Sequence, residues 1–214
     1  MVDSRRHTEQ GEERKQQLLQ AAEQLFTDRG YGATRISDIC AAAGVAKGLF
    51  YWYFPTKESL FAELVRTMRH QLRRAQAAAM EPSADPVTRL RQGAEASVRF
   101  MAAHQTYFAL LDVERLDAAL APVMREGSDV YASDVRRLIM EAQREGLVPD
   151  GDPTFYVVGV LGAVSSFGHA YRAGRLQIPI DDLAASVGRW VTDAVARPRD
   201  AARALTPTTG DDAP

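Results

Sequence analysis

The chain has 214 residues, of which 46% are hydrophobic and 25% are charged, and its formal net charge is −2. This balance excludes a largely disordered chain and allows one or two packed domains. The single cysteine, Cys40, excludes a disulfide framework and a cysteine-based zinc site, so we expect a protein of the reducing cytoplasm.

The first 29 residues divide into a polar arm and a long helix. We expect residues 1–11 to be a flexible arm, because they are polar throughout. A helix is predicted from about Glu12 to Arg29, with Gly30 ending it. Its apolar residues recur at helical spacing, and they are Leu18, Leu19, Ala22, Leu25 and Phe26.

The segment 34–54 predicts two short helices joined by a tight turn. Thr34 offers an N-cap for a helix from about Ile36 to Ala43. Gly44 favours a sharp turn, because glycine adopts left-handed dihedrals without a Cβ clash. A second helix then begins near Lys47, and two helices joined this closely indicate a helix-turn-helix.

The second short helix, KGLFYWYF, has an unusual distribution of aromatic residues. At 100° per residue, three of them form one arc that we expect to face the core, namely Phe50, Tyr51 and Phe54. Leu49, Trp52 and Tyr53 fall outside this arc, next to the cation Lys47. Exposed apolar groups beside a basic residue favour a recognition helix. The alternative is a short amphipathic connector whose aromatic rings pack against a later helix.

A further helix is predicted directly after this unit. Pro55 ends the short helix, and Thr56 caps the next one, whose first turn contains Lys57. Free N–H groups at a helix start favour anions, so Thr56 and Lys57 form a candidate phosphate clamp. We expect residues 56–80 to be a linking helix. Pro82 and Pro86 mark the domain boundary that follows.

The run GVAKGLFYWYFPTKESL, together with the preceding ATRISDICAAA, resembles the tetracycline-repressor (TetR) family of transcriptional regulators. The resemblance covers roughly residues 13–65. The sequence departs from the family pattern at Ala46, Leu49 and Trp52, which leaves the operator sequence open. The resemblance implies an all-α homodimer that binds an operator in double-stranded DNA through residues 12–55. It also implies that a second domain, residues 81–196, binds a small molecule and dimerises.

Candidate DNA contacts lie on the helix-turn-helix and around it. The predicted set is Thr34, Arg35, Ser37, Lys47, Gly48, Leu49, Trp52, Tyr53 and Lys57. Within it we expect Thr34, Ser37 and Lys57 to hold phosphates, while the second short helix reads the groove. Arg5 and Arg6 of the arm either touch the DNA or lie in a solvated tail. Residues 1–74 carry 12 Lys and Arg against 9 Asp and Glu. The resulting net positive charge suits a domain that faces DNA phosphates.

Caps and apolar stripes predict only helices in the second domain. Four are expected over 86–103, 105–115, a span between 120 and 145 with a turn near Gly127, and 153–172. A last helix is predicted over 181–196, and residues 197–214 form a flexible tail. The most apolar window of the sequence, residues 155–171, is short for a membrane span and contains the polar residues Ser165, Ser166 and His169, so we expect a core helix there and no membrane segment.

The helix 153–172 carries large residues on one side and small ones on another. The small residues are Gly159, Gly162, Ala163, Ser166 and Ala170. A single chain of this size seldom buries every side of a helix. We therefore expect the smooth side and the last helix to form the homodimer interface.

The second domain also contains a candidate pocket for a small molecule. The predicted lining residues are Phe100, Met101, His104, Phe108, Leu111, Met124, Tyr131, Val135, Phe167 and Tyr171. Their composition favours an apolar or aromatic effector oriented by His104 or Tyr131, and not a phosphorylated or highly charged one. The alternative is that these residues form ordinary core.

No catalytic, metal or cofactor motif is present in the sequence. It lacks a phosphate-binding glycine loop with its lysine, a nucleophile elbow and a zinc-protease motif. The four histidines are scattered and no two share a helix at ligand spacing. We therefore expect a repressor released by its effector and not an enzyme. An activator, a regulator without an effector and a helical enzyme remain as alternatives, and binding to DNA near its own gene separates a regulator from an enzyme.

Overall fold

The computed structural model describes residues 2–114 and 120–196, without the side chains of residues 2–10, 109–110, 112–114 and 121–130. These residues form nine α-helices and no strand, which confirms the all-α fold class. The helices are α1 Val2–Arg29, α2 Ile36–Ala42, α3 Lys47–Tyr53, α4 Lys57–Ala79, α5 Pro86–Ala103, α6 Gln105–Glu114, α7 Ala121–Arg144, α8 Pro153–Arg172 and α9 Ile180–Val195. No helix in the described part of the chain is long and apolar enough to cross a membrane.

Helices α1 to α4 surround a first core built on aromatic rings. The rings of Phe26 and Tyr31 lie 5.1 Å apart, and the Phe61 ring lies 5.4 Å from Tyr31. Cys40 is buried in this core, and burial raises the pKa of its thiol. These contacts fix the orientation of the helix-turn-helix relative to α1 and α4. Gly44 has φ of 65°, which confirms the predicted turn between α2 and α3.

Helix α1 is longer than the sequence predicted. It begins at Val2 instead of Glu12, so residues 2–11 form helix where a flexible arm was expected. The physical reason is that Arg, Glu and Gln are good helix formers and no proline interrupts them. Gly11 alone weakens the helix at this point.

Helices α5, α7, α8 and α9 surround a second core. Val98, Ile139 and Val187 are among its fully buried members, and α5 packs along α9. Asp85 caps α5 by accepting from the Val87 and Thr88 amides, and Asp152 caps α8 by accepting from Thr154. The turn expected near Gly127 is wrong, because α7 continues through that residue. Residues 197–214, the predicted tail, lie outside the described residues.

Helix α6 lies between the two cores. Tyr107 is buried among the residues of the first core, although its helix follows α5 of the second bundle. Phe100, Phe108 and Leu111 are half-buried against the same first core. The helix-turn-helix bundle and the C-terminal bundle are therefore in continuous side-chain contact through α6.

Candidate DNA-binding surface and ligand cavity

Helix α3 presents a mixed cationic and aromatic face to solvent. Lys47 and Gly48 are exposed, and Trp52 is 74% exposed in spite of its large apolar ring. Leu49 is half-buried at the edge of this face. The opposite side is anchored by Phe50 and Phe54, whose rings are buried in the first core. Burial of two rings holds a seven-residue helix in place while its other side stays free.

The rotation of α3 differs from the prediction at two tyrosines. Tyr51 was expected in the core but is 47% exposed. Tyr53 was expected to read DNA but is half-buried, and its hydroxyl donates to the Gly11 carbonyl at 2.8 Å. The cause is a contact with a residue 42 positions earlier in the chain, which no local pattern encodes. Tyr51 is therefore a surface residue that sequence reasoning missed, while a DNA contact by the half-buried Tyr53 stays a prediction.

Thr34 makes internal contacts. Its side chain is buried, and the single proton of its hydroxyl is shared between the Gly30 carbonyl at 2.8 Å and the Leu25 carbonyl at 3.2 Å. It ties the end of α1 to the start of α2 and is not the N-cap, a position that Arg35 occupies. The hydroxyl is therefore bonded inside the bundle in this structure, and a contact between Thr34 and a phosphate stays a prediction.

Lys57 also makes internal contacts. Its ammonium donates to the Tyr31 carbonyl at 2.7 Å and to the Thr34 carbonyl at 2.9 Å, and it lies 4.1 Å from the centre of the Tyr31 ring. Thr56 caps α4 as predicted, because its hydroxyl accepts from the Ser59 amide. The local geometry therefore uses Lys57 first to join α4 to the loop before α2. A contact between Lys57 and a DNA phosphate stays a prediction, as a second role beside these internal bonds.

Arg35 and Ser37 border the α3 face at the start of α2. Both are exposed, and the Arg35 amide donates to the Asp38 carboxylate at 3.1 Å, which closes the first turn. The exposed predicted contacts are therefore Arg35, Ser37, Lys47, Gly48 and Trp52, with Leu49 at the edge.

A cavity of about 480 Å³ lies on the inner side of α4. Its walls come from α4, α5, α6, α7 and α8, so it lies where the two bundles meet. Most of the lining is apolar, including Val65, Met68 and Leu72 from α4. A volume of this size suits a small organic molecule.

All five of these helices contribute polar groups to the cavity, including Ser97 from α5 and Tyr107 from α6. Arg69 and Gln76 project from α4, Tyr131 from α7 and Arg172 from α8. Gln76 is occupied, because its amide donates to the Ser97 hydroxyl at 2.8 Å. The Arg172 guanidinium carbon lies 5.4 Å from the centre of the Phe108 ring. The described lining residues include no aspartate or glutamate, so the cavity is apolar with a cationic component.

Two protein-family models cover most of the chain. Residues 18–64 match the model "Bacterial regulatory proteins, tetR family". Residues 83–195, more than half of the chain, match "Tetracyclin repressor-like, C-terminal domain". The chain belongs to the TetR family. Its resemblance over the helix-turn-helix motif is thereby confirmed and extended to the C-terminal bundle.

Relatives in sequence carry the names of transcriptional regulators of the helix-turn-helix (HTH) type. The HTH-type transcriptional repressor DhaR of Mycobacterium sp. (strain GP1) is 29% identical over 177 residues, which are 70% of this chain and 80% of DhaR. The uncharacterized HTH-type transcriptional regulator YhgD of Bacillus subtilis (strain 168) is 27% identical over 132 residues. The match spans 62% of the length of YhgD.

Solved structures share the fold of this TetR-family chain. The fatty acid degradation regulator FadR of Bacillus halodurans gives a TM-score of 0.75 at 20% identity, covering 84% of this chain and 94% of FadR. FadR of Bacillus subtilis in complex with stearoyl-CoA gives 0.75 at 19% identity, covering 84% and 98%. At these identities the likeness is one of fold alone.

The cavity of this TetR-family protein contains four of the ten predicted pocket residues. These four are Met101, Phe108, Leu111 and Tyr131. Val135 instead lines a smaller neighbouring cavity of about 50 Å³. The side chain of Met124 lies outside the described residues.

The remaining four predicted pocket residues pack elsewhere. The rings of Phe100 and His104 are 4.1 Å apart, beside the first core. Phe167 packs at 6.1 Å from the Trp190 ring, and Tyr171 packs against the second core. None of these four is among the lining residues of the larger cavity, because neighbouring helices occupy the faces that carry them.

Sequence reasoning missed the contribution of α4 to the cavity. Val65, Arg69, Leu72 and Gln76 recur at helical spacing along one edge of its apolar stripe. A cation within such a stripe was a visible signal, because a solvated arginine would be expected on the opposite face.

Helices α8 and α9 present an apolar face to solvent. Phe155 is 78% and Val158 is 65% exposed on α8, and Trp190 is 47% exposed on α9. Gly159 and Gly162 lie on the same exposed side, and a Cβ built at either would meet nothing within 4 Å. Large exposed apolar groups gathered beside glycines are typical of a surface that another protein covers.

Proposed function

We propose that this TetR-family protein is a homodimeric repressor that releases its operator when an organic small molecule fills the cavity between the two bundles. The observation that carries the proposal is the α3 face, where Trp52 is largely exposed beside Lys47 on a helix anchored by buried Phe50. Such a face can read bases by apolar contact and hydrogen bonding in the major groove. The relatives named as repressors, including DhaR, support the direction of regulation.

In this proposal the boundaries between domains are drawn where the packing of the helices changes. Residues 12–55 bind DNA, residues 56–80 link the domains, and residues 81–196 bind the effector and dimerise. The α3 face reads the groove, while Arg35 and Ser37 contact phosphates at its border. Because α1 is helical from Val2, any contribution of Arg5 and Arg6 to DNA binding comes from a helix and not from an extended arm.

The dimer interface is assigned to α8 and α9. Phe155 and Val158 are too apolar and too exposed for a solvated surface, and Val158 also lines the cavity. The neighbouring glycines allow a second helix to approach closely. A two-fold dimer places two α3 helices side by side, so the operator is pseudo-palindromic with half-sites about one helical turn, ~34 Å, or more apart.

Ligand binding and operator binding are coupled because some side chains that line the cavity also pack in the core that supports the helix-turn-helix. Val65 and Met68 line the cavity and also belong to the first core, which holds α2 and α3. Tyr107 does the same from α6. A ligand that pushes α4 or α6 outward therefore shifts the bundle that carries α3. It lowers operator affinity only as far as it prefers the displaced state, typically by ~1 to 3 kcal/mol.

The test is an operator-release titration. Duplexes that bind the full-length protein are first selected from a random pool, and organic acids, alcohols and aromatic compounds are then added to the complex. The proposal expects at least one compound that both raises the melting temperature of the protein and weakens operator binding about tenfold. A compound that stabilises the protein at saturation without changing operator affinity contradicts the coupling.

A further inference from the structure

Arg69 is the one arginine of α4 that faces the cavity, and its surroundings differ from those of its neighbours. Arg66 pairs with Glu63 at 2.5 Å, and Arg73 pairs with Asp134 at 2.8 Å. Arg69 is half-buried on the turn between them and makes no hydrogen bond or ion pair with any residue that the structure describes. A partly buried cation without an anionic partner is costly, so its position in the lining of an apolar cavity needs an explanation.

Two tyrosine hydroxyls accompany Arg69. Tyr107 and Tyr131 both line the cavity, and each is close enough to Arg69 for the cation to lower the pKa of the phenol. Burial outweighs this effect and raises the pKa of both phenols, so each hydroxyl keeps its proton at neutral pH and acts as a donor. Within the described residues neither hydroxyl has a hydrogen-bond acceptor. Three donors that lie within electrostatic reach of one another therefore line the same apolar cavity.

The chain itself does not supply the missing anion among its described residues. Two carboxylates are near enough to affect these tyrosines, Glu23 near Tyr107 and Asp134 near Tyr131. Asp134 already pairs with Arg73, and Glu23 lies outside the cavity lining. Burial raises the pKa of Glu23, which disfavours its charged form. Arg172 adds a second positive charge to the lining.

We infer that the effector is an amphipathic anion, with an apolar body along α4 and one anionic head bound by Arg69, Tyr107 and Tyr131. This inference rests on the proposed ligand site and defines its ligand class. A carboxylate or phosphate head accepts two parallel bonds from the guanidinium and further bonds from the hydroxyls. The apolar body covers Val65, Met68 and Leu72. This inference differs from the sequence prediction, which favoured an apolar or aromatic effector oriented by His104 or Tyr131.

The experiment uses three probes that share a twelve-carbon chain and differ in the head group. They are dodecanoate, dodecyl phosphate and dodecanol, each kept below its micelle-forming concentration. Binding to the full-length protein is measured by calorimetry at pH 7.4, and operator release is measured in parallel. We expect at least one anion to bind about tenfold or more tightly than the alcohol. The ratio between dodecanoate and dodecyl phosphate identifies the head that the site prefers.

The deciding variant is Arg69→Gln, with Arg74→Gln as its control. Arg74 lies on the same helix but is exposed and is not part of the cavity lining, so both changes remove one positive charge from α4. Arg69→Gln should reduce the preference for the anion to within about threefold while leaving dodecanol binding unchanged. Arg74→Gln should keep the wild-type preference. Melting temperatures of both variants check that they fold.

Three outcomes overturn the inference: dodecanol binding as tightly as the better-bound anion, an unchanged preference in Arg69→Gln, or an equal loss in Arg74→Gln. These outcomes are distinct from failure of the proposed repressor function. If dodecanol binds best and releases the operator, the switch stands and the ligand class is wrong. If the anion binds through Arg69 without affecting the operator, the ligand class stands and the switch is wrong.

Discussion

At the residue scale, Lys57 has a structural role that the sequence did not show. Its ammonium satisfies two backbone carbonyls, those of Tyr31 and Thr34, and lies over the Tyr31 ring. The sequence placed Lys57 at a helix start and therefore predicted a phosphate contact. The carbonyls that it binds belong to a loop more than twenty residues earlier, and only the fold brings them together.

We therefore predict that Lys57→Met destabilises the protein. The variant keeps much of the aliphatic stem but leaves two carbonyls without their donor. The free energy of unfolding should fall by about 1 to 3 kcal/mol. Urea denaturation followed by far-UV circular dichroism measures this change.

Lys47→Met is the matched control, because Lys47 is exposed and does not bridge the bundle. It should change the free energy of unfolding by less than about 0.5 kcal/mol. If Lys57→Met is as stable as Lys47→Met, the internal bonds of Lys57 contribute little, and its role would be that of a phosphate contact.

At the element scale, helix ends were more predictable than helix rotations. The bounds of α5 and α8 follow from the Asp-Pro pairs at 85–86 and 152–153, because capping is a local interaction. The predicted rotation of α3 about its axis was wrong for two residues. Tyr51 was expected in the core and Tyr53 on the surface, and the structure reverses their order of exposure. Both are aromatic and lie on either side of the buried phenylalanines of this segment, so helical periodicity alone does not show which of the two is buried. The choice is made by the Gly11 carbonyl, which binds the Tyr53 hydroxyl.

The ligand cavity was only partly predictable for a related reason. Met101, Phe108, Leu111 and Tyr131 were identified because they are large and lie on apolar stripes. The same criterion selected Phe167, which packs against Trp190 instead. An apolar stripe shows that a residue faces the interior of the bundle. Only the packing of several helices decides whether that residue meets a neighbouring side chain or lines a cavity.

Helix α8 supports a prediction about the dimer. Gly159 is exposed, is not part of the cavity lining, and has open space where a Cβ would lie. In a single chain the new side chain of Gly159→Leu therefore has room, and its higher helix propensity should stabilise α8 by about 1 kcal/mol. Against a closely packed partner helix the added side chain clashes, at a cost of ~1 to 3 kcal/mol. The dissociation constant of the dimer should rise about tenfold in sedimentation equilibrium.

Gly159→Ala is the graded control, because its single methyl group should raise the dissociation constant much less. An equally tight dimer in Gly159→Leu would move the interface away from this face of α8. A wild-type protein that is monomeric at micromolar concentration would contradict the dimer itself.

At the scale of the whole molecule, the two cores meet along α4 and α6. Val65, Met68 and Tyr107 belong to the first core and also line the cavity. Filling the cavity therefore acts on side chains that also support the helix-turn-helix. The two-part organisation was predictable from the prolines near residue 82, but the packing of α6 on the first core was not, because its sequence neighbours belong to the second bundle.

The central claim is that the exposed face of α3 reads DNA, and Trp52→Ala tests it most directly. Fluorescence anisotropy at about 0.15 M salt would compare a selected operator with an unrelated duplex, using Met140→Ala on α7 as the control for loss of an exposed apolar side chain. We predict that Trp52→Ala raises the operator dissociation constant at least about tenfold, because a base contact is lost. Binding to the unrelated duplex should change less than about threefold, because phosphate contacts remain. An unchanged operator affinity in a folded Trp52→Ala protein would contradict the account.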